Sequence, residues 1–326
     1  MEERCKINMM QGDCMDLMKD KPDNYYDLSI VDPPFNIGKA NWDKIDNYVD
    51  WIINFLKELQ RVMKDNSSVY LFHNDFVQLS EIQAKINKET NYILRQFIVW
   101  NKRFDNSPLK GFLDGYVEME GLRNYQKFAE YICFYTFQDS TGLSKIMGNC
   151  VYPIRDYIRK EIIRAKGKIV LREINQVLGT AVNGGGVASA CISEDKTVPA
   201  MITEEHYLKI RKWLNNGKDY EYLRKDYEDL RYTFNNQKTH HSVWNYDIAK
   251  KQTEHITEKP VALYKNILRH SAKEGCKIID PFGGSGSICI ACWDLKFDLD
   301  WIELDADYYK EAVERFKRHK NQLQMF

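Results

Sequence analysis

Between the N-terminus and about residue 139, short runs of β-branched and aromatic residues alternate with stretches whose apolar residues recur at helical spacing. Leu28-Ser-Ile-Val31, Val69-Tyr-Leu-Phe72, Phe97-Ile-Val-Trp100 and Tyr131-Ile-Cys-Phe-Tyr135 have the composition of strands, and residues 47–63 and 76–87 the periodicity of amphipathic helices. Strands alternating with helices predict a mostly parallel sheet covered on both faces. From about residue 140 to 238 the pattern changes. Residues 158–164, 171–178, 187–192, 204–214 and 219–232 are each predicted as helix, Thr203 capping the fourth, and no strand alternation is visible. After residue 239 the first pattern returns: a helix over 260–270, a strand Lys277-Ile-Ile-Asp280, a glycine-rich turn and helix, a strand Leu299-Asp-Trp-Ile-Glu303 and a closing helix over 308–320. The pattern therefore predicts one α/β domain in two parts, 1–139 and 239–326, interrupted by a helical insert, 140–238.

Composition changes this picture little. With 326 residues, 44% hydrophobic and 29% charged, the chain can bury a sizeable core and has no signature of disorder. Lys+Arg and Asp+Glu both total 47, so any affinity for nucleic acid must come from a local patch. The opening residues lack the apolar stretch of a signal peptide and no later run approaches a membrane span, so a cytoplasmic protein without a membrane partner is expected. The eight cysteines show no secreted disulfide framework. Cys289-Ile-Ala-Cys292 has the spacing of a metal or redox pair, but a zinc site needs about four ligands. No second pair or nearby histidine completes it, so both cysteines are expected in the core and no metal is expected.

Two short motifs carry the chemistry. The strand ending at Asp280 runs into Pro281-Phe282-Gly283-Gly284-Ser285-Gly286-Ser287, and the next strand ends in Glu303. In doubly wound sheets such a turn lets a nucleoside ligand approach the backbone while an acid holds ribose hydroxyls. A nicotinamide fingerprint would need glycine where Cys289 stands, and a phosphate loop would need lysine after Gly286. S-adenosylmethionine, with a ribose, a base and an amino-acid tail but no phosphate, suits the pattern better.

The second motif is Asp32-Pro33-Pro34-Phe35, directly after Leu28-Ser-Ile-Val31. Two prolines cannot continue a ladder, so the chain leaves the sheet stiffly and holds the acid at its mouth. An exocyclic base amine is a poor nucleophile because its lone pair is delocalised into the ring. Hydrogen bonds from its NH₂ to the Asp32 carboxylate and a proline carbonyl would pull it toward a tetrahedral form, and Phe35 offers a face for a flipped-out base. Methylation at cytosine C5 calls instead for a cysteine nucleophile, in that family typically after proline, and none of the cysteines here follows one.

Together, Asp32-Pro33-Pro34-Phe35 and Asp280-Pro281-Phe282-Gly283-Gly284-Ser285-Gly286 resemble the signature motifs of S-adenosylmethionine-dependent DNA amino-methyltransferases, and their order resembles that of the β class. The resemblance implies a Rossmann-like seven-stranded α/β sheet with one antiparallel strand and circularly permuted motifs, so that the strands ending at Asp32 and Asp280 lie side by side. It implies that Asp13 and Cys14 contact the cofactor's adenine and that the segment of Thr257 and Lys259 lines its methionine end. Asp280, Phe282, Gly283, Gly284, Ser285, Gly286, Ser287 and Glu303 complete the implied cofactor site. An aspartate at position 32 favours N6 of adenine over N4 of cytosine, where serine is commoner; Phe35 replaces a more frequent tyrosine. The implied activity is site-specific methylation of double-stranded DNA at N6 of adenine. N4-cytosine methylation, an inactive DNA-binding relative, and methylation of RNA or a protein amide are the competing readings. A homodimer and a companion restriction enzyme are the partners such relatives suggest.

The insert is the expected DNA-recognition region. Leu171–Leu178 and Val187–Ile192, joined by a glycine turn, form a candidate helix-turn-helix, although the turn exceeds the usual three or four residues. Arg155, Arg159, Lys160, Arg164, Lys166, Lys168 and Arg172 form a candidate phosphate grip, with Asn183 in the turn. A solvated helical face is the competing reading of that cluster. Lys39 and Trp42, just after the tetrapeptide, are placed by position to hold a flipped base, and residues 104–123 form a long loop suited to closing over DNA.

Overall fold

The computed structural model describes residues 5–36, 38, 43–111, 125–138, 153–195, 200–235, 241–249, 253–254 and 257–323. Two compact units result, residues 1–137 with 233–326, and Gln138–Tyr232. In chain order the elements are β1 (Ile7–Gln11), α1 (Cys14–Lys19), β2 (Tyr26–Val31), α2 (Tyr48–Val62), β3 (Met63–His73), α3 (Phe76–Glu89), β4 (Ile93–Asn101) and β5 (Ala129–Thr136). Next come α4 (Pro153–Lys166), α5 (Leu171–Leu178), α6 (Gly186–Cys191), α7 (Glu204–Leu214) and α8 (Tyr220–Leu230). The chain closes with β6 (Val243–Asn245), α9 (Val261–Ser271), β7 (Lys277–Asp280), α10 (Ser287–Leu295), β8 (Asp298–Glu303) and α11 (Ala306–Leu323).

The first unit is an α/β sheet of eight strands in the order β1-β8-β7-β2-β3-β5-β4-β6. β5 runs antiparallel to β3 and β4 and the other pairings are parallel. Seven strands were expected; the eighth is the three-residue β6, which extends the β4 edge through Val99–Val243 and Asn101–Asn245 pairings. Strand alternation sends side chains to opposite faces. Val69 and Leu71 of β3 pack in a cluster with Ile52, Leu56 and Leu59 of α2 and Leu79 and Ile82 of α3. On the other face Tyr70 bonds Ser271 of α9, and Phe72 lies 6.3 Å from Tyr264 of the same helix.

β2 and β7 are adjacent and parallel, with Leu28 beside Ile278 and Ser29 beside Ile279. The motifs that follow them, some 250 residues apart in the chain, therefore leave the same edge of the sheet. β1 pairs with β8, which brings the Gly12-Asp13-Cys14 turn beside Glu303, and Gly12 N–H donates to the Glu303 carbonyl at 2.9 Å.

The second unit is helical and has its own core, formed by Ile154, Ile158, Ile162, Ile174, Leu178, Ile192, Tyr207, Ile210 and Leu223 among others. Buried Asn175 organises the turn after α5. Its Oδ1 accepts from Ala188 N–H at 2.8 Å and Thr180 Oγ1 at 2.9 Å, and its Nδ2 donates to the Gly185 carbonyl at 3.3 Å. A Cβ at Gly186 would meet Asn175 at 2.6 Å, so glycine is required for α6 to start that close. Cys289 and Cys292 are buried in α10, as their apolar setting predicts. No helix among the described residues is long and apolar enough to cross a membrane.

Candidate active site

A cavity of about 560 Å³ opens at the carboxyl edge of the sheet, within the size range of small-molecule sites. Its lining includes Asp32, Pro33, Pro34 and Phe35 after β2, Phe282, Gly283, Gly284 and Ser285 after β7, and Glu303 at the end of β8. Asp13 and Cys14 after β1, and Thr257 and Lys259 before α9, also line it. Thirteen residues read from the sequence as catalytic or cofactor-binding thus meet in one cavity, although they come from both ends of the chain.

The glycine turn is shaped by close packing. Gly283 N–H donates to the Ile302 carbonyl at 2.7 Å, and a Cβ on Gly283 would fall 2.0 Å from the Trp301 indole. Gly284 and Gly286 have φ of 51° and 72°, the left-handed region that side chains resist. Glu303 accepts Gly284 N–H at 2.7 Å with one oxygen and Asp305 N–H at 2.8 Å with the other. Burial pushes its carboxyl upward, and these backbone donors oppose the push.

Three of the expected cofactor residues stand behind the wall instead of on it. Asp280 is 1% exposed and accepts Phe282 N–H at 3.0 Å. Burial drives its carboxyl well above the usual range. Ser287 is buried and shares a hydrogen bond with Ser285 and another with Arg315, while Gly286 sets the left-handed step into α10. Asp13 has a local task as well, capping α1 by accepting Met15 N–H at 2.7 Å. Burial lifts the Cys14 thiol to about 12, so it is a neutral, weakly polar wall.

At the other end, Asp32 is held by Lys259, whose ammonium lies 2.9 and 2.6 Å from its two oxygens. Burial pushes the Asp32 carboxyl upward against the pull of that ammonium. Phe35 rests on His73, with ring centroids 5.3 Å apart, and Lys259 Nζ lies 5.1 Å from the Phe35 ring. His73 ends β3, and burial lowers its imidazole to about 4, so it is a neutral support. The chain leaving Phe35 is closed by a reciprocal pair: Asn36 N–H donates to Asp43 at 2.6 Å and Ile45 N–H to Asn36 at 2.9 Å. Lys39, Trp42 and residues 112–123 of the long loop lie outside the described residues.

Sequence reasoning missed several members. Asp43, Ile45, Trp51, Tyr264, Leu304 and Tyr308 also line the cavity. Arg315 of α11 reaches the back of the glycine turn, donating to the Ser285 carbonyl and Ser287 Oγ, both at 2.9 Å, and pairing with Glu258 at 2.6 Å. The available signal was an arginine on the inward stripe of α11 beside Ala312 and Phe316. Glu130, a lone acid in an otherwise apolar strand, was the corresponding signal in β5.

The cavity suits a ligand with a nucleoside and no phosphate. Lys259 is the one lysine or arginine among the described lining residues, and two carboxylates already engage it. Apolar Met15 and Leu304 flank the acids on the β1 and β8 side.

In the helical unit, α5 and α6 flank the Asn175-centred turn as the two helices of the candidate helix-turn-helix. Its basic residues divide into two groups. Arg159 donates to the Ile192 carbonyl at 2.8 Å and pairs with Glu194 at 2.8 Å, and Arg155 pairs with Asp156 at 3.1 Å, so both serve the unit's own structure. Lys160, Arg164, Lys166, Lys168, Arg172 and Asn183 are exposed, with Lys166 lying over the Trp213 ring.

Comparison with known proteins agrees with this geometry. The family model for DNA methylases of the N6/N4 type matches residues 26–314. The DNA adenine methyltransferase YhdJ of Escherichia coli (strain K12) is 24% identical over 320 residues, covering 94% of this chain and 81% of that protein. The type II methyltransferase M1.MboII of Moraxella bovis is 22% identical and covers 94% of each chain. Among solved structures, the M1.HpyAVI–SAM complex aligns with a TM-score of 0.51 at 16% identity over 95% of this chain and 99% of that one. The cytosine-N4-specific PvuII DNA methyltransferase aligns with a TM-score of 0.54 at 11% identity, over 97% and 92%. Both share the fold.

Proposed function

Because the chain belongs to the N6/N4 DNA methylases, S-adenosylmethionine-dependent enzymes that methylate an exocyclic base amine, we propose that it acts on N6 of a flipped-out adenine in double-stranded DNA. The observation that carries this reading is the Asp32 carboxylate, fixed at the edge of the sheet and opening into the same cavity as the glycine turn. Kinship to an E. coli protein named as a DNA adenine methyltransferase supports it.

Gly283, Gly284 and Ser285 would hold the amino-acid part of S-adenosylmethionine together with Thr257, Glu303 the ribose, and Asp13, Cys14, Met15 and Leu304 the adenine. Bound there, the cofactor supplies an electrophilic methyl group. Asp32 and a proline carbonyl would accept hydrogen bonds from the two N–H groups of the target amine, drawing it toward a tetrahedral form and its lone pair out of the ring π system; the amine then loses one proton as the methyl is transferred. Phe35, braced by His73, stacks on the base. Catalysis is then positioning and fixed electrostatics, with no covalent enzyme intermediate.

Labelled S-adenosylmethionine incubated with unmethylated genomic DNA and resolved by nucleoside analysis is expected to put label in N6-methyladenine. Label in N4-methylcytosine would move the assignment to the cytosine branch. The exposed cations Lys160, Arg164, Lys166, Lys168 and Arg172 are the proposed phosphate grip of the helical unit. Replacing Lys168 and Arg172 by alanine is expected to flatten the log affinity against log salt slope by roughly one to two. An unaltered slope removes them from the interface.

A further inference from the structure

The acid that meets the acceptor is not presented bare to the cavity. Both Asp32 oxygens lie against Lys259 Nζ, and the same ammonium, its side chain 2% exposed, stands 3.5 Å from Glu130. Glu130 is in turn paired with Lys102. The row Asp32, Lys259, Glu130, Lys102 alternates in sign and sums to zero. Its members come from four places in the chain: the end of β2, the segment before α9, the start of β5, and the residue after β4.

Such a row is costly to bury and is weak evidence of a purely stabilising role. Its effect falls on Asp32. Burial favours the protonated carboxyl, which would offer a hydrogen to an amine that needs an acceptor. The charged or titratable groups facing Asp32 are Lys259, Glu130 and Lys102, the Asp280 carboxyl at the end of β7, and the hydroxyls of Tyr48 in α2 and Tyr264 in α9. Lys259 is the cation in direct contact. It approaches both oxygens at once, so an incoming amine must share one of them with it. Glu130, 3.5 Å from the same ammonium, gives Lys259 a second partner as it yields that oxygen.

We propose that Lys259 is a positioning residue for methyl transfer, the counter-ion that keeps Asp32 ionised and aimed at the acceptor amine, with Glu130 as the second carboxylate that fixes the ammonium. Its ammonium is committed to these carboxylates and not to the cofactor. The proposal rests on Asp32 being the amine's acceptor, so Asp32→Ala is measured beside the other variants.

The experiment is the pH profile of kcat at saturating S-adenosylmethionine and DNA, with cofactor affinity measured separately by calorimetry. Lys259→Met is expected to lower kcat about 10²-fold at neutral pH and to move the acid limb upward by about one unit or more. Cofactor affinity stays within about threefold, and Lys259→Arg recovers part of the rate. Glu130→Gln removes a negative neighbour and is expected to move the acid limb the other way. Opposite displacements of one limb are a signature that loss of packing does not produce. If Lys259→Met weakens cofactor binding about tenfold or more while kcat and its profile persist, Lys259 is a cofactor ligand and the proposal is overturned. Should Lys259→Met not fold, Glu130→Gln decides: a limb that stays or moves upward overturns it. Near-normal turnover by Asp32→Ala would instead bring down the reading of Asp32 itself.

Discussion

β2 and β7 lie side by side and parallel, and at its carboxyl end each carries an aspartate followed by proline, Asp32-Pro33 and Asp280-Pro281. The pairing of Leu28 with Ile278 puts Asp280 level with Ile30, two residues deeper in the sheet than Asp32. That offset separates their roles. Asp32 retains 13% side-chain exposure, faces the cavity and is met by an ammonium. Asp280 is sealed, its nearest charged neighbours include two other acids, and its oxygen goes to a backbone N–H. The same two residues on neighbouring strands therefore give the proposed acceptor for the substrate amine in one case and a brace for the glycine turn in the other.

This distinction can be tested variant by variant. Asp32→Ala is expected to lower kcat about 10³-fold or more at saturating cofactor while calorimetric affinity for S-adenosylmethionine stays within about threefold. A parallel loss of affinity would place Asp32 among the cofactor residues and break the comparison. Gly283→Ala drives a methyl into Trp301, and a loss of roughly 2 kcal/mol in stability with a fall of about tenfold in cofactor affinity is expected. Denaturant midpoints and affinities equal to wild type would show that the turn is not braced by that contact. Asp280→Ala leaves the Phe282 N–H without its acceptor, which costs roughly 1–3 kcal/mol, yet kcat at saturating cofactor is expected to stay within about threefold. A collapse of kcat like that of Asp32→Ala would erase the difference between the two strand ends.

The parts of this site that could be read from the sequence are those written by backbone shape. Pro33 and Pro34 stop a strand, and Gly283 to Gly286 force a turn, whatever surrounds them. The β/α alternation was equally local, and six of the eight strands follow from it. β1 did not, because Ile-Asn-Met-Met-Gln has neither alternation nor β-branched density and is held by its pairing with β8. β6 is three residues long, and α1 buries only Cys14 and Met18, too few positions to show a period. The charge row was invisible for another reason. Lys259 and Asp32 are 227 residues apart, and only strand order brings them together. Arg315 and Glu130 left a faint trace as charges at inward positions, but their partners could not be named from spacing. His73 was hidden at the end of an apolar run, where a neutral buried imidazole differs little from another aromatic ring.

The pairing of β1 with β8 has a consequence for biosynthesis. Ile7 stands beside Leu299, so β1 leaves the ribosome long before β8, the strand that completes its ladder. β2 likewise presents an unpaired edge until β7 is made, while β3 can join it early. The helical unit, continuous in sequence and with its own core, can fold during that interval. The nascent chain thus carries an open sheet edge until β7 and β8 are made. Shielding of that edge during synthesis is therefore expected to raise the folded yield, which co-expression with a chaperone would measure.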